Sequence, residues 1–219
     1  MRPASPGALP AVLLAALVAL WVVLAVEPVD RATWMLENVL LVLFVGALAA
    51  GYRRYRFSRR AYVLMFVFLC LHTVGGHYTY SLVPYDEWYR ALTGETLNAQ
   101  FGWTRNHYDR LLHFLFGLML AVPARELLMA IAGVRHGWSY FLAVVLIMAC
   151  SSLYELIEWA AAVVFGGELG VRYLGTQGDE WDGQRDMALA ALGAFLVMVL
   201  AACWSVWRRF AAHARQGRR

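Results

Sequence analysis

The sequence predicts an all-α membrane protein, and three observations lead to that fold class. Hydrophobic residues make up 61% of the 219 residues and charged residues only 16%, whereas a soluble domain is nearer half apolar and a quarter charged. The mean hydropathy of the chain is +0.54. The apolar residues also form long blocks, each close to the roughly 20 residues that span a bilayer as a helix. These features exclude a disordered chain, a disulfide scaffold, a coiled coil and an ordinary cytosolic enzyme.

Six apolar blocks predict a bundle of six transmembrane helices within one integral-membrane domain, residues 1–219. The predicted spans cover about residues 9–26, 34–51, 61–80, 107–132, 138–165 and 182–207. They leave two longer loops, at 81–106 and 166–181. Tryptophans fall at or near several predicted ends, where amphipathic rings favour the headgroup layer.

The first span has an alternative interpretation. The block from Leu9 to Val26 is closed by Glu27 and Pro28, and its length of about 18 residues suits a span. Arg2, the apolar stretch and the polar segment that follows also fit a signal peptide. No convincing A-x-A cleavage site precedes Glu27, so we expect a retained helix. Cleavage would leave five spans with the same orientation.

The later spans are bounded by charged or helix-breaking residues. The basic run at 53–60 (RRYRFSRR) separates the second span from the third. Gly75 with Gly76 predicts either a close helix approach or a local break in the third span. Pro123 should kink the fourth span near its end. The sixth span begins at Asp182, a residue type that can cap a helix N-terminus, and it ends in an arginine-rich tail.

The placement of arginine predicts the orientation. The chain has 19 arginines and no lysine. Thirteen arginines fall on the side that holds both termini, the 52–60 loop and the 125–136 turn, and six fall on the other side. The positive-inside rule then places the side with 13 arginines, and with it both termini, in the cytoplasm. Because the arginines flank apolar blocks, topology explains the net charge of +4, and nucleic-acid binding is not expected.

The two outer loops differ in composition. Residues 81–106 mix charged residues with several aromatic ones, which is typical of a segment that lies in the membrane interface, with a short helix. Residues 166–183 hold six glycines and four acids, so this loop either wraps closely around a small ligand or is a flexible connector. The cysteines at 70, 150 and 203 form no CxxC pair and are interpreted as packing residues.

Ionisable side chains inside the spans are costly, so each one is a candidate for function. Their depth follows from a rise of about 1.5 Å per residue across about 30 Å of hydrocarbon. On this count, the ionisable side chains of four helices lie within about 10 Å of the outer boundary of the membrane. They are His77 in the third span, His107, Asp109 and His113 in the fourth, Glu155 and Glu158 in the fifth, and Asp182 and Asp186 in the sixth. His72 falls nearer the midplane. This shared depth predicts one common site.

Most of these residues come in pairs three or four apart, so that each pair shares a helical face. The pairs are Asp109–His113, Glu155–Glu158 and Asp182–Asp186. Carboxylates and imidazoles that project inward from bundle helices assemble di-iron and related centres. Several carboxylates at one low-dielectric depth repel each other unless protons, arginines or a divalent cation offset their charge. Arg110 and Arg185 directly neighbour site residues, so we expect them to point elsewhere on their helices.

We therefore predict a divalent-metal site made by these six paired residues, with His77, His107 and Asp179 as additional candidates. Carboxylates with one or two imidazoles suit Zn, Mn or Fe, whereas an all-oxygen subset suits Mg or Ca. The structural alternatives are an interfacial Asp109, glutamates bonded to arginine or tyrosine, and helix capping by Asp182.

The motifs of the last three spans resemble a known family. The stretch at 105–193 contains RNHYDRLLHFLFG, SSLYELIEW and GTQGDEWDGQRDMALAALG, and TVGGHYTYSLVPYDEW precedes it. Across most of residues 35–200 the chain resembles the bacterial inner-membrane family exemplified by YjdF, a domain of unknown function. The resemblance implies a multi-pass inner-membrane protein and supplies no catalytic residues. The order of the pairs is also similar to VanZ-like membrane proteins, although Glu158 and Asp186 stand where that family would have amides.

The predicted site supports three functions of different classes. The first is a metal-dependent enzyme that acts on a lipid or lipid-linked substrate, because the site faces the outer leaflet beside the aromatic loop. The second is a non-catalytic assembly or interaction protein, in which the polar layer locks helices together. The third is an ion-coupled transporter. Two features argue against it: the inner half of the bundle is apolar and so offers no polar pathway across the membrane, and the sequence has no evident inverted repeat.

Overall fold

The computed structural model of the protein describes residues 7–216, except the side chains of Leu169, Arg172 and residues 213–216. Within these residues the chain forms nine helices and no strand, which confirms the all-α fold class. In chain order the helices are α1 (Leu9–Leu24), α2 (Arg31–Gly51), α3 (Arg59–His77), α4 (Tyr85–Thr93), α5 (Leu97–Phe101), α6 (Tyr108–Ile131), α7 (His136–Phe165), α8 (Gly167–Leu174) and α9 (Asp182–Gln216). The arginines at 2, 215, 218 and 219, which enter the orientation argument, lie outside the described side chains.

Five helices of the described chain are long and apolar enough to cross a membrane, namely α2, α3, α6, α7 and α9. The apolar helix α1 has 16 residues and is shorter. The protein is therefore a multi-pass membrane bundle. The orientation of its termini stays a prediction.

Short polar side chains set the starts of α2 and α3. The Asp30 carboxylate accepts a hydrogen bond from the Thr33 amide over 2.8 Å, so α2 begins at Arg31, earlier than the apolar block. Ser58 caps α3 in the same way through the Ala61 amide, over 3.2 Å. Hydropathy alone does not detect these polar first turns, which is why the predicted spans start later.

The third helix ends three residues before the predicted end of its span. Thr79 and Tyr80 have positive φ angles of 53° and 54°, so the chain reverses there. The Tyr80 amide donates to the Gly75 carbonyl over 2.8 Å and closes the helix end. The Tyr80 ring then packs on Gly75, where an added Cβ would lie 2.7 Å from the ring. Glycine at this position is what allows the turn to fold back.

Backbone contact between α6 and α9 holds the centre of the bundle together. A Cβ on Gly117 would lie 1.9 Å from the Ala190 carbonyl oxygen, and a Cβ on Gly193 would lie 2.2 Å from the Phe114 carbonyl oxygen. Small residues of this kind let two membrane helices approach closely. As a result, the first turns of α6 and α9 lie side by side.

Beyond this contact, the bundle is filled by an apolar cluster drawn from α3, α6, α7 and α9. Its buried members are Ala61, Met65, Leu120, Ala121, Ala143, Ile147, Ala190, Ala194 and Met198. At the arginine-rich end of the bundle, Glu126 accepts hydrogen bonds from the Ser58 amide (2.9 Å) and hydroxyl (2.5 Å), which ties α6 to α3.

The two loops predicted on the outer side contain short helices. Residues 81–106 include α4 and α5, and 166–181 include α8. The α4 side chains Trp88 and Leu92 are exposed, as are Phe101 and Trp103 after it. Exposed aromatic and aliphatic residues on an amphipathic helix fit a segment that lies in the membrane interface. These loops and the first turns of α6 and α9 share one end of the bundle.

Candidate metal centre

Asp109 and His113 form the first part of the site, at the start of α6. They are one helical turn apart, so their side chains face the same direction. The Nε2 atom of His113 lies 3.6 Å from Asp109 Oδ1 and 3.6 Å from Glu155 Oε1 of α7. Both separations exceed the usual hydrogen-bond range. The buried imidazole therefore faces two carboxylates without a hydrogen bond to either.

Asp186 of α9 completes a group of three donors. One donor atom each from Asp109, His113 and Asp186 lies within 4.8 Å of the other two. Asp186 is 2% exposed, and its Oδ1 atom has no hydrogen-bond partner among the described residues. Glu155 Oε1 is also buried and has no hydrogen-bond partner among the described residues. Because buried polar atoms are normally satisfied, these two oxygens are candidates for metal ligation.

Gly183 brings Glu155 into the group. An added Cβ at position 183 would lie 2.7 Å from Glu155 Oε2, so a larger residue there would make this carboxylate shift from its present position. Glu155 thereby approaches the first turn of α9. The positive end of the helix dipole lies there and favours a negative charge.

Three arginines lie beside these donors, but they bind two other carboxylates. Arg105 Nη1 lies 2.6 Å from Asp182 Oδ1 and 3.5 Å from Asp179 Oδ2. Arg110 contacts the same two carboxylates, and Arg185 pairs with Asp179. The prediction that Arg110 and Arg185 point elsewhere is therefore wrong. A long arginine side chain at the start of a helix can turn sideways and reach a neighbouring loop.

The arginine contacts divide the acids into two sets. Among the described side chains, Asp179 and Asp182 are ion-paired with arginine, whereas Asp109, Glu155 and Asp186 are not. These three carboxylates surround one imidazole. Their mutual repulsion in a low dielectric has to be offset by protons or by a cation.

Asp179 lies in the loop between α8 and α9, and both of its carboxylate oxygens have partners. The three arginines contact Oδ2, and the Trp181 amide donates to Oδ1 over 3.1 Å. Burial raises the pKa of Asp179, but the Trp181 hydrogen bond and the charges of Arg185 and Arg110 lower it by more, so its pKa lies below the ordinary value. Asp179 is thus an ionised partner of arginine, apart from the three close donors.

A second polar group adjoins the first through Tyr154 of α7. The Tyr154 ring packs edge-on against His113, with ring centroids 5.8 Å apart, and its hydroxyl donates to Glu37 Oε2 over 3.4 Å. Glu37 lies on α2 and is 4% exposed. Tyr154 is also hydrogen-bonded with Glu158. Glu158 therefore belongs to the second group, whereas Glu155, one turn earlier, faces His113.

His72 also belongs to the second group. Its Nε2 atom lies 3.3 Å from the backbone oxygen of Glu37, and its Nδ1 atom is bonded with the Tyr80 hydroxyl. Sequence reasoning overlooked Glu37, although it follows the start of the predicted second span by three residues and so has the same shallow depth. No acid or histidine lies three or four residues from it, so Glu37 forms none of the pairs that define the predicted site.

The two other candidate histidines, His77 and His107, lie outside both groups. His77 Nδ1 is 2.8 Å from the Leu24 carbonyl oxygen and joins the end of α3 to the end of α1. His107 directly precedes α6, and its ring lies against Trp103 with centroids 4.3 Å apart. Neither is part of the close donor group formed by described residues.

Comparison with known proteins identifies a family. The chain matches the family described as "Predicted membrane protein (DUF2238)" over residues 9–206. It is 39% identical to the "Inner membrane protein YjdF" of Escherichia coli (strain K12) over 191 residues, which cover 87% of this chain and 83% of that protein. No solved structure matches the chain. The resemblance inferred from the motifs and the inner-membrane location are thus confirmed.

Proposed function

The chain belongs to the DUF2238 family of membrane proteins, and we propose that it holds a divalent metal ion within the bilayer and uses it on a lipid or lipid-linked substrate. One observation carries the proposal. Donor atoms of Asp109, His113 and Asp186 lie within 4.8 Å of one another, and Glu155 adjoins them with a buried oxygen that has no hydrogen bond among the described residues.

The separations suit a metal site. Ligand atoms at about 2.0–2.2 Å from Zn²⁺ lie roughly 3.4 Å from each other in a tetrahedral site. His113 Nε2 lies 3.6 Å from a carboxylate oxygen on either side, close to that value. The widest donor separation needs side-chain adjustments on the order of 1 Å. One imidazole with the carboxylates of Asp109 and Asp186 suits Zn, Mn or Fe and leaves a fourth position for water, and carboxylates alone would suit Mg.

The charge of the group favours a cation over further hydrogen bonds. Asp109, Glu155 and Asp186 bring as many as three negative charges into a site that is largely excluded from water. A buried charge is costly unless it is paired or coordinates a metal. The neighbouring arginines described here bind Asp179 and Asp182 instead. A divalent cation would offset two of the three charges.

A metal in this position would supply a water molecule of lowered pKa for ester hydrolysis. Asp109, His113 and Asp186 would hold the metal, and Glu155 would be the base that takes a proton from the attacking water as the new bond to the phosphorus or carbonyl carbon forms. Glu155 would then return this proton to the oxygen of the leaving alcohol as the ester bond breaks. Exposed aromatic residues on the neighbouring α4–α5 segment suit a substrate that arrives from the membrane.

A purely structural role is the competing proposal. The ion pair between Arg105 and Asp182 favours it, because this contact ties the segment before α6 to α9. An ion-coupled transporter is favoured by no comparable observation, since the buried cluster beyond the α6–α9 contact is apolar.

Elemental analysis tests the proposal most directly. The protein would be purified in detergent, incubated with Zn²⁺, Mn²⁺, Fe²⁺ or Mg²⁺, freed of excess metal and measured alongside Asp186→Asn and Asp109→Asn. We expect about one ion per chain in the wild type and a loss in both variants. Glu126→Gln, which alters a carboxylate at the opposite end of the bundle, is the matched control and should keep its metal.

Two outcomes would reject a metal centre. One is a wild type that retains none of the four ions. The other is metal that persists in both aspartate variants, because the ion would then be bound elsewhere. Isosteric Asp→Asn variants that melt at the wild-type temperature and bind no less metal would also argue against the structural role.

A further inference from the structure

Three arginine side chains converge on a single carboxylate oxygen in a loop. Arg105, Arg110 and Arg185 all contact Asp179 Oδ2, and Asp179 is not part of any helix. Arg105 and Arg110 are 12% and 16% exposed, so these guanidinium groups are largely withdrawn from water. The described arrangement resembles an anion-binding pocket with a side chain of the protein in it.

The pocket has more positive charge and more donors than its two carboxylates use. Three arginines face Asp179 and Asp182, which leaves one net positive charge. Arg105 Nη2 and Arg110 Nε are buried, and within the described structure neither has a hydrogen-bond partner. A phosphate monoester carries about two negative charges and three terminal oxygens, so it accepts more of these donors than a carboxylate does.

We propose that Arg105, Arg110 and Arg185 bind the phosphate monoester group of a phosphorylated lipid, and that Asp179 occupies their pocket until this group displaces it. This inference rests on the proposed metal centre for its place in a reaction. Arg110 directly follows Asp109 and Arg185 directly precedes Asp186, so a phosphate held here adjoins the metal donors.

Polar contacts hold the loop that carries Asp179 against the start of α6. Gly175, Gln177 and Gly178 have positive φ angles of 60°, 49° and 86°, so the segment reverses direction repeatedly. Its described contacts with the start of α6 are polar. Thr176 O accepts from Arg105 over 3.2 Å, and Gln177 exchanges hydrogen bonds of 2.9 and 3.0 Å with the Asn106 backbone. Polar contacts at the surface are readily exchanged for water, unlike buried apolar packing.

The surroundings of the pocket favour a lipid over a soluble phosphate. Trp103 lies against His107, which follows Arg105 by two residues, and Phe101 stacks on Trp103 with centroids 4.8 Å apart. Phe101 and Trp103 are exposed. Aromatic side chains of this kind lie at the headgroup level of a membrane, which is also where a lipid phosphate lies.

The test measures binding of dodecyl phosphate and of inorganic phosphate to the detergent-purified protein by calorimetry. Arg110→Gln should weaken binding of dodecyl phosphate by roughly tenfold or more, because it removes a charged donor. Asp179→Asn should strengthen it by roughly tenfold, because the competing charge is gone. Glu180→Gln changes the exposed neighbouring acid and should bind like the wild type.

A gain of affinity in Asp179→Asn cannot come from misfolding, so this variant keeps the test decisive if Arg110→Gln folds poorly. Affinities that are the same in Asp179→Asn, Arg110→Gln and the wild type would overturn the inference. Inorganic phosphate that binds as tightly as dodecyl phosphate would overturn the lipid assignment. Metal content is measured on the same samples: a wild type that shows the expected phosphate binding without metal would reject the metal centre and leave the arginine site standing.

Discussion

Replacing Gly117 by alanine tests whether the α6–α9 contact positions the metal donors. The new Cβ would lie 1.9 Å from the Ala190 carbonyl oxygen and 2.8 Å from the Ala194 amide nitrogen. Because both atoms belong to the backbone, no side-chain rotation relieves the clash, and the helices must separate by about 1 Å. Overpacking costs about 1–3 kcal/mol, and the better helix propensity of alanine returns up to about 1 kcal/mol. Because the clash is with backbone atoms, we expect a cost at the upper end of this range, about 3 kcal/mol, and a net loss of about 2 kcal/mol in the free energy of unfolding.

The same separation should weaken metal binding. Gly117 follows His113 by one turn, and Ala190 follows Asp186 by one turn, so a shift at the contact widens the gap between these donors. A separation of about 1 Å would double the adjustment of about 1 Å that the donor side chains already need to reach a common metal ion. Gly117→Ala should therefore lose metal even at temperatures where it remains folded.

Thermal unfolding in detergent and elemental analysis of the same sample measure the two effects. Gly46→Ala is the matched control, because no heavy atom lies within 4 Å of a Cβ at this position of α2. The control should match or slightly exceed the wild type in stability. A Gly117→Ala protein with wild-type Tm would refute the packing argument. A lower Tm with full metal content would refute the claim that this contact places the donors.

Three further predictions concern single side chains. The pKa of Asp179 is lower in the folded protein than in the unfolded chain, where it is about 3.9. The arginine contacts of Asp179 therefore stabilise the fold at a pH above about 3.9, and this stabilisation is lost as the pH falls through the lower folded-state pKa. The Tm difference between wild type and Asp179→Asn should thus be constant near neutral pH and disappear in acid, and a difference that grows in acid would contradict this. Tyr154→Phe removes the hydroxyl that donates to buried Glu37 and should lower the free energy of unfolding, measured by thermal unfolding, by about 1–3 kcal/mol. The loss should be smaller when Tyr154→Phe is combined with Glu37→Gln. Glu126→Gln weakens the hydrogen bonds to Ser58 and should lower the free energy of unfolding by at most about 1 kcal/mol. A larger decrease, or a loss of metal, would show that the end of the bundle opposite the candidate metal centre controls the site.

The sequence predicted much of the candidate site because helix geometry converts position along the chain into depth. Asp109, His113, Glu155 and Asp186 fall in one layer by counting residues from the ends of apolar blocks, and the structure brings these four side chains together. Whether they bind a metal stays a proposal. The same count places Glu37 in this layer, as a single acid outside the pairs that define the predicted site.

Periodicity did not reveal which acids share a partner. Asp182 and Asp186 look equivalent in the sequence, yet Asp182 is bound by two arginines, and Asp186 Oδ1 has no described hydrogen-bond partner. Arg110 was expected to point away, because its angular position on α6 differs from that of Asp109. Angular position places the Cβ atom, whereas the end of an arginine side chain lies several bonds further and follows the nearest negative charge.

The sequence by itself determined the membrane class, the helical fold and the shallow layer of polar residues, since each depends on hydropathy and on a fixed rise per residue. Only the tertiary structure decided which polar groups meet. Gly117 and Gly193 let α6 and α9 touch through their backbones, Gly183 admits Glu155, and the loop before α9 carries Asp179 to three arginines. Such contacts depend on the distance between helices, which small residues set and which no periodicity along one helix encodes.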